Sequence, residues 1–245
     1  MISDRMVGVL RLLQSDDGSG QVVDVTTAGA AALGVDGLAV SLITAGGFPE
    51  LLWCSDVATR RLEDLQLTLG EGPGPDAAHT GALVWVPDLA GVRLARWPAL
   101  AMEAPALPAR AVFCFPMGIG AIRTGVLTAV RHTPGPLTAQ QTDDALILAD
   151  ALTARCLGSY GSRLEGSSPA DSAPVLQHAV VHQATGMVSV QLSLPLPQAL
   201  LRLRAHAYSS GRSLTDISQD VVDRRLRLEH NGTGPDTPPT AADKD

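Results

Sequence analysis

Three cysteines, six histidines and the acidic pairs Asp16-Asp17 and Asp143-Asp144 are side chains of this 245-residue chain suited to forming bonds, holding a metal or moving protons. Their spacing argues against all three roles. Cys54, Cys114 and Cys156 lie far apart and form no Cys-x-x-Cys pair, so neither a zinc site nor a disulfide framework is expected. Each sits in an apolar run and reads as a small core residue. His79 and His132 stand alone near turns, without the neighbours that a metal or haem ligand needs. The pairs Asp16-Asp17 and Asp143-Asp144 read as a loop and a helix start, and no serine lies in a nucleophile setting. In "LGEGPGPDAAHTG" (69–81), Gly70, Gly72 and Gly74 permit a sharp loop beside a cavity. Pro73 and Pro75 remove two backbone donors there, and no Gly-Lys-Ser/Thr follows, so a nucleotide-phosphate loop is excluded. The expectation is a protein that is not an enzyme and carries no cofactor.

Binding is the chemistry that remains. The chain has a net charge of −7, with 45% hydrophobic and 18% charged residues, enough apolar content for a sizeable core. Charge is uneven: residues 1–171 carry −7, residues 172–230 carry +2 with six arginines and four of the six histidines, and the last fifteen residues carry −2. A polyanionic partner would therefore meet 172–230. The first residues have flanks too acidic for a signal peptide, and no run approaches the ~20 apolar residues of a membrane helix. A cytoplasmic location without membrane contact is expected.

The elements that must position these residues divide the chain. Two short helices, 3–13 and 21–33, precede the β-rich runs "GLAVSLITAGG" and "ELLWCS", a hairpin signal. A helix capped at Ser55 follows, then the glycine-rich loop, a strand "ALVWVPDL" and a short helix at "RWPALAMEA". The strands "ARAVFCFPM" and "GVLTAVRH" lead into a helix from about 138 to 160. This order predicts an α+β domain over 1–164, an antiparallel sheet with flanking helices. "EGSSPADSAP" (165–174) reads as a linker, 175–230 as an all-α three-helix domain, and 231–245 as a disordered tail.

Within the three-helix part, Leu176, Val180, Ala184, Met187 and Val188 form one apolar stripe of the first helix. Gly186 lies beside it. A mid-helix glycine costs roughly 1 kcal/mol relative to alanine, and close approach of a neighbouring helix is the expected reason for it. The second helix starts at Pro195–Pro197 and buries Leu196, Leu200, Leu203 and Ala207. The third is capped by Ser213-x-x-Asp216 and buries Leu214, Ile217, Val221 and Leu226. Arg224, Arg225 and Arg227 complement the negative end of its dipole. About 55 residues make a marginal bundle alone, so help from a partner chain or from the 138–160 helix is expected.

"VVHQATGMVSVQL" with "PQALLRLRAHAYSSGRSLTDISQDVV" resembles an ANTAR domain, the three-helix RNA-binding module of bacterial antitermination regulators, over about 175–228. The family's Ala-Lys-Gly core stands as Ala184-Thr185-Gly186, and its Leu-Arg-x-x-Ala pattern as Leu203, Arg204 and Ala207. Thr185 replaces the usual lysine and leaves one fewer cation for phosphate. The resemblance implies RNA contacts from Thr185, Arg202, Arg204, Arg212, Arg224, Arg225 and Arg227, with Tyr208, His178 and His182 able to stack or hydrogen-bond. The stretch from Leu62 to Gln141 resembles a GAF domain, a small-molecule sensory fold, through Gln66, Gly70-Glu71-Gly72-Pro73, Asp76-Ala77, Asp88, Arg96-Trp97-Pro98 and Phe115-Pro116. That resemblance extends over about 20–160. Of its aromatic residues, Trp53, Trp85 and Phe113 are the candidate ligand-pocket liners. Together the two resemblances imply a signal-responsive antitermination regulator, a homodimer that binds RNA stem-loops under control of an unknown small-molecule or protein signal. A helix-turn-helix DNA-binding regulator is one alternative. A protein-interaction module without nucleic-acid binding is the other.

Overall fold

The computed structural model describes residues 2–14, 22–43, 49–164 and 178–229. The linker at 165–174, Leu176, Phe48 and the 231–245 tail therefore lie outside the described residues. Helices α1 (Asp4–Gln14) and α2 (Val22–Leu33) precede strands β1 (Gly37–Ile43) and β2 (Pro49–Cys54). Helices α3 (Val57–Leu69) and α4 (Pro73–Thr80), strand β3 (Val84–Val86) and helix α5 (Pro98–Glu103) come next. Strands β4 (Ala111–Ile119) and β5 (Ile122–Arg131) lead into the long α6 (Ala139–Leu164). The five strands form one antiparallel sheet in the order β2-β1-β5-β4-β3.

Both faces of the sheet are covered, which is why its central strands are apolar at nearly every position. Side chains alternate across a strand. Leu38, Val40, Phe113, Phe115, Leu127 and Ala129 point to one face and pack with α1, α2 and α6, through Ala145, Leu148 and Leu152. Val112, Cys114, Val126 and Val130 point to the other and meet Leu62 of α3, Ala77 of α4, and Trp97 and Leu100.

Two local readings of the sequence are corrected here. The cap of α3 is Asp56, one residue beyond Ser55: its carboxylate accepts from Thr59 N–H at 2.8 Å and from Thr59 Oγ1 at 2.6 Å. Burial alone would raise this carboxyl, but the hydrogen bonds from Thr59 and Ser55 outweigh it and hold it below the usual range. Asp56→Ala should lower stability by about 1–2 kcal/mol, read as a lower urea midpoint at unchanged slope. The second correction concerns 70–80. The glycine-rich stretch is the helix α4, not a continuous loop. Pro73 starts it, because the first-turn N–H groups it lacks have no intrahelical partner anyway. Gly70 and Gly72, at φ 72° and 134°, make the turn that separates α3 from α4.

Helices α7 (Ala179–Leu192), α8 (Leu196–Ser210) and α9 (Leu214–Val222) pack around Val181, Ala184, Val188, Ala199, Leu203, Ala207, Ile217 and Val221. Ser213 caps α9, its hydroxyl accepting from Asp216 N–H at 3.0 Å. The stripe of α7 is turned by one residue from the expected one: Val181 and Thr185 are inside, whereas Val180 and Met187 are only partly covered. That rotation moves Gly186 outward, and a methyl group built there would meet nothing within 4 Å. Among the described residues, no neighbouring helix packs closely enough to be the reason for the glycine.

The support expected from the 138–160 helix comes from elsewhere. Helix α6 is committed to the sheet, and it is α3 that hosts the bundle, with Leu67 completing the bundle core.

Candidate functional site

The junction between α3 and the three-helix bundle is built on a carboxylate buried in an edge strand. Glu50 of β2 is 1% exposed. Its carboxylate accepts the backbone N–H of His178 at 2.6 Å and lies 2.7 Å from His182 Nε2. His178 Nε2 meets Asp64 Oδ1 of α3 at 2.8 Å. The second ring nitrogen, Nδ1, is buried without a hydrogen-bond partner, 3.7 Å from Glu50. The four-residue step between His178 and His182 lets both rings face β2 and α3 from one side of α7. The hydrogen bond to Glu50 raises the His182 pKa above its ordinary value despite partial burial.

The last turn of α3 makes a second contact. Leu67 O is one of the carbonyls a helix leaves unpaired at its C-terminus, and Arg204 Nε donates to it at 2.8 Å. Burial lowers the Arg204 pKa to about 10, so the group stays cationic at neutral pH. The guanidinium also crosses Gly70, where an added methyl group would lie 2.9 Å from Nη1. Leu214 N–H donates to Thr68 Oγ1 at 3.4 Å.

Behind the junction, between α3 and the sheet, the described residues leave little free space. Glu63 accepts from Ser41 Oγ at 3.4 Å and from Gln66 Nε2 at 3.5 Å, and Gln66 Oε1 accepts from Gly74 N–H at 2.8 Å. The free space here is about 10 Å³, bordered also by His178, and does not admit an organic ligand. Burial pushes the Glu63 carboxyl up to about 7, against hydrogen bonds from Thr128 and Ser41. The cysteines are buried, and burial holds their thiols protonated: Cys54 and Cys156 are pushed up to about 11 and Cys114 further still.

The residues singled out from the sequence are scattered. Phe113 is fully buried and stacks edge-on with Trp85 at 4.7 Å. With the partly covered Trp53, they pack in the core that faces α1, α2 and α6, across the sheet from Glu63. Thr185 is buried and its hydroxyl donates to Val181 O at 2.6 Å. Arg212 pairs with Asp220 at 2.7 Å, and Arg225 pairs with Asp220 and Asp223, both at 2.9 Å. Hydrogen bonds from Arg212 and Arg225 hold the Asp220 carboxyl below its usual range. Tyr208 is half-exposed.

Arg202, Arg224 and Arg227 are exposed and have no carboxylate partner among the described residues. Arg224 and Arg227 border an open groove of about 850 Å³ with Gln183, Gly186, Met187 and Val190. Val190 is 84% exposed there. Among the described residues, no group of three or more His, Cys, Asp or Glu could hold a metal ion, and no helix is long and apolar enough to cross a membrane.

Sequence reasoning passed over Glu50, Asp64 and Glu63. The signal for Glu50 was present as a lone carboxylate inside the apolar strand "PELLWC". Its partners, 128 residues away, were not visible.

The sheet, its bordering helices and the filled space over Glu63 can be compared with solved structures. Two GAF domains of phosphoenolpyruvate-protein phosphotransferases superpose on it. That from Acinetobacter matches with a TM-score of 0.51 and 13% identity, covering 66% of this chain and 96% of its own. That from Coxiella burnetii matches with a TM-score of 0.52 and 15% identity, covering 66% and 99%. The sheet domain has the GAF fold. At this identity the likeness concerns the fold alone. No protein-family model matches the chain, and no curated protein matches it.

Proposed function

We propose that this chain is a cytoplasmic regulator without bond chemistry, in which the GAF-fold domain receives a small-molecule or protein signal and α7–α9 bind stem-loops in nascent RNA. Terminator formation is thereby prevented, and a homodimer presents two bundles to paired hairpins. One observation carries this reading. The bundle docks on α3, the helix that also closes the GAF-fold interior over Glu63, and on Glu50 of the adjoining edge strand, so a change in that domain has a direct route to the bundle. Sensory input is the role this fold supports, and the bundle is its only partner among the described residues.

The cations open to RNA are Arg202, Arg224 and Arg227, whereas Arg204 is engaged by α3, and Arg212 and Arg225 by acids of α9 and its end. Recognition would join phosphate contacts from these arginines to bases lying on Tyr208 or along the groove beside Gly186. The triple variant R202E/R224E/R227E of the full chain should bind a panel of stem-loop RNAs at least about tenfold more weakly, with a shallower salt dependence. Wild-type affinity in that variant rejects this surface.

A second reading is favoured by the pairing of Arg212 and Arg225 and by the exposed Val190: a bundle that binds protein and no RNA. Stable protein partners with no crosslinked transcripts would establish it. Recognition of duplex DNA by α9 is disfavoured, because its first turn presents Leu214, Thr215 and Asp216 and no groove-reading arginine, asparagine or glutamine.

A further inference from the structure

Beside the Glu50 junction, the GAF-fold domain and the bundle border a second, open cleft. Its volume is about 640 Å³, within the range of small-molecule sites, whereas the space over Glu63 is about 10 Å³. One wall is the outer side of α3, with Val57, Arg60, Arg61 and Leu69; the opposite wall is Tyr208 of α8 and Arg212 of the following turn.

We propose that this cleft is an effector site for a small organic anion with an apolar or aromatic body, seated so that it clamps the bundle to the GAF-fold domain. The proposal rests on the reading of that domain as the signal-receiving half, and it moves the signal from the sheet interior to the junction.

Three observations carry it. Arg60 and Arg61 reach the cleft, and neither has a carboxylate partner among the described residues. The carboxylates in the walls are Asp64, engaged by His178, and Glu103; the cations are Arg60, Arg61 and Arg212, of which Arg212 is already paired with Asp220. Apolar surface lies open beside these cations: Val57 is 82% exposed at the start of α3, and Tyr208 is 50% exposed across from it. An anionic head on the guanidinium groups would leave a ring to lie against Tyr208, Val57 and Leu69. Because the two walls belong to different domains, such a ligand binds the docked form and not the separated one. It must therefore shift the chain toward docking.

The test uses 8-anilino-1-naphthalenesulfonate, an apolar ring system with one sulfonate, and its uncharged counterpart N-phenyl-1-naphthylamine. Both are titrated against the full chain by fluorescence with no RNA present. The sulfonate should bind saturably at one site and raise the urea midpoint, and the uncharged probe should bind at least about tenfold more weakly. R60E/R61E should weaken sulfonate binding by at least about tenfold. V57D changes an exposed side chain only, and it should weaken the sulfonate while leaving the circular dichroism of the chain intact. Equal binding of the two probes, sulfonate binding unchanged in both variants, or no saturation below about 1 mM would each overturn the proposal. Since RNA takes no part, failure here is separate from failure of the stem-loop assay.

Discussion

Glu50→Ala should separate α7–α9 from the GAF-fold domain. The carboxylate is almost wholly buried and holds both the backbone N–H of His178 and the ring of His182. Removing it leaves a buried donor without a partner, takes the carboxylate partner from His182, and opens a cavity in the edge strand. Leaving the buried His178 N–H unsatisfied costs about 1–3 kcal/mol, and the cavity adds to that. Three direct hydrogen bonds and the burial of Leu67 would remain at the junction: His178 Nε2 with Asp64, Arg204 to Leu67 O, and Leu214 N–H to Thr68. Ordinary hydrogen bonds contribute about 1 kcal/mol each, so they do not compensate. Small-angle scattering should show a larger radius of gyration, and trypsin should cleave at Arg204, which the docked form shields. Glu50→Gln keeps an acceptor for His178 N–H and should give an intermediate effect. A scattering curve for Glu50→Ala that overlays the parent's would show that this carboxylate does not hold the bundle.

Glu63→Gln should raise stability at pH 8 by roughly 3 kcal/mol and change it little near pH 4. The carboxyl is buried between α3 and the sheet, facing Ser41, Thr128, Gln66, Asp64 and His178, and its pKa is pushed from 4.5 to about 7. An acid with a raised folded pKa keeps its proton when the unfolded chain has lost it. Stability therefore falls as pH rises from about 4.5 to about 7, and the glutamine variant lacks that fall. His182 adds to the trend in the parent. Its folded pKa is raised, so its contribution is complete below the ordinary histidine value and is lost as pH climbs through the folded one. The slope that survives in Glu63→Gln above pH 6.5 belongs to His182 and should disappear in the further variant carrying His182→Gln. Urea unfolding at pH 5, 6.5 and 8 measures both. Parallel pH profiles for the parent and Glu63→Gln would place the ionisation elsewhere.

These two carboxylates show why the site was less legible than the fold. In β4, Val112-Phe113-Cys114-Phe115 alternates cleanly between two covered faces, and a period of two is a local property. Pro195, Gly211 and Ser213 punctuate the last three helices by stereochemistry that needs no tertiary partner. The Gly70–Thr80 stretch misled because glycine and proline favour turns equally with the first turn of a helix. Thr185 and Arg204 are RNA contacts by the resemblance, yet the Thr185 hydroxyl donates to its own helix at Val181 O and Arg204 reaches the end of α3.

The sequence by itself determined most of the strands and helices and where several helices begin. Those properties follow from periodicity, capping and composition within a few residues. Only the tertiary structure decided that Glu50 meets two histidines of α7, that α3 and not α6 carries the bundle, and which arginines stay open to a partner. The first two choices, and the engagement of Arg204, depend on contacts between residues more than one hundred positions apart, where burial, and no local pattern, selects the partner.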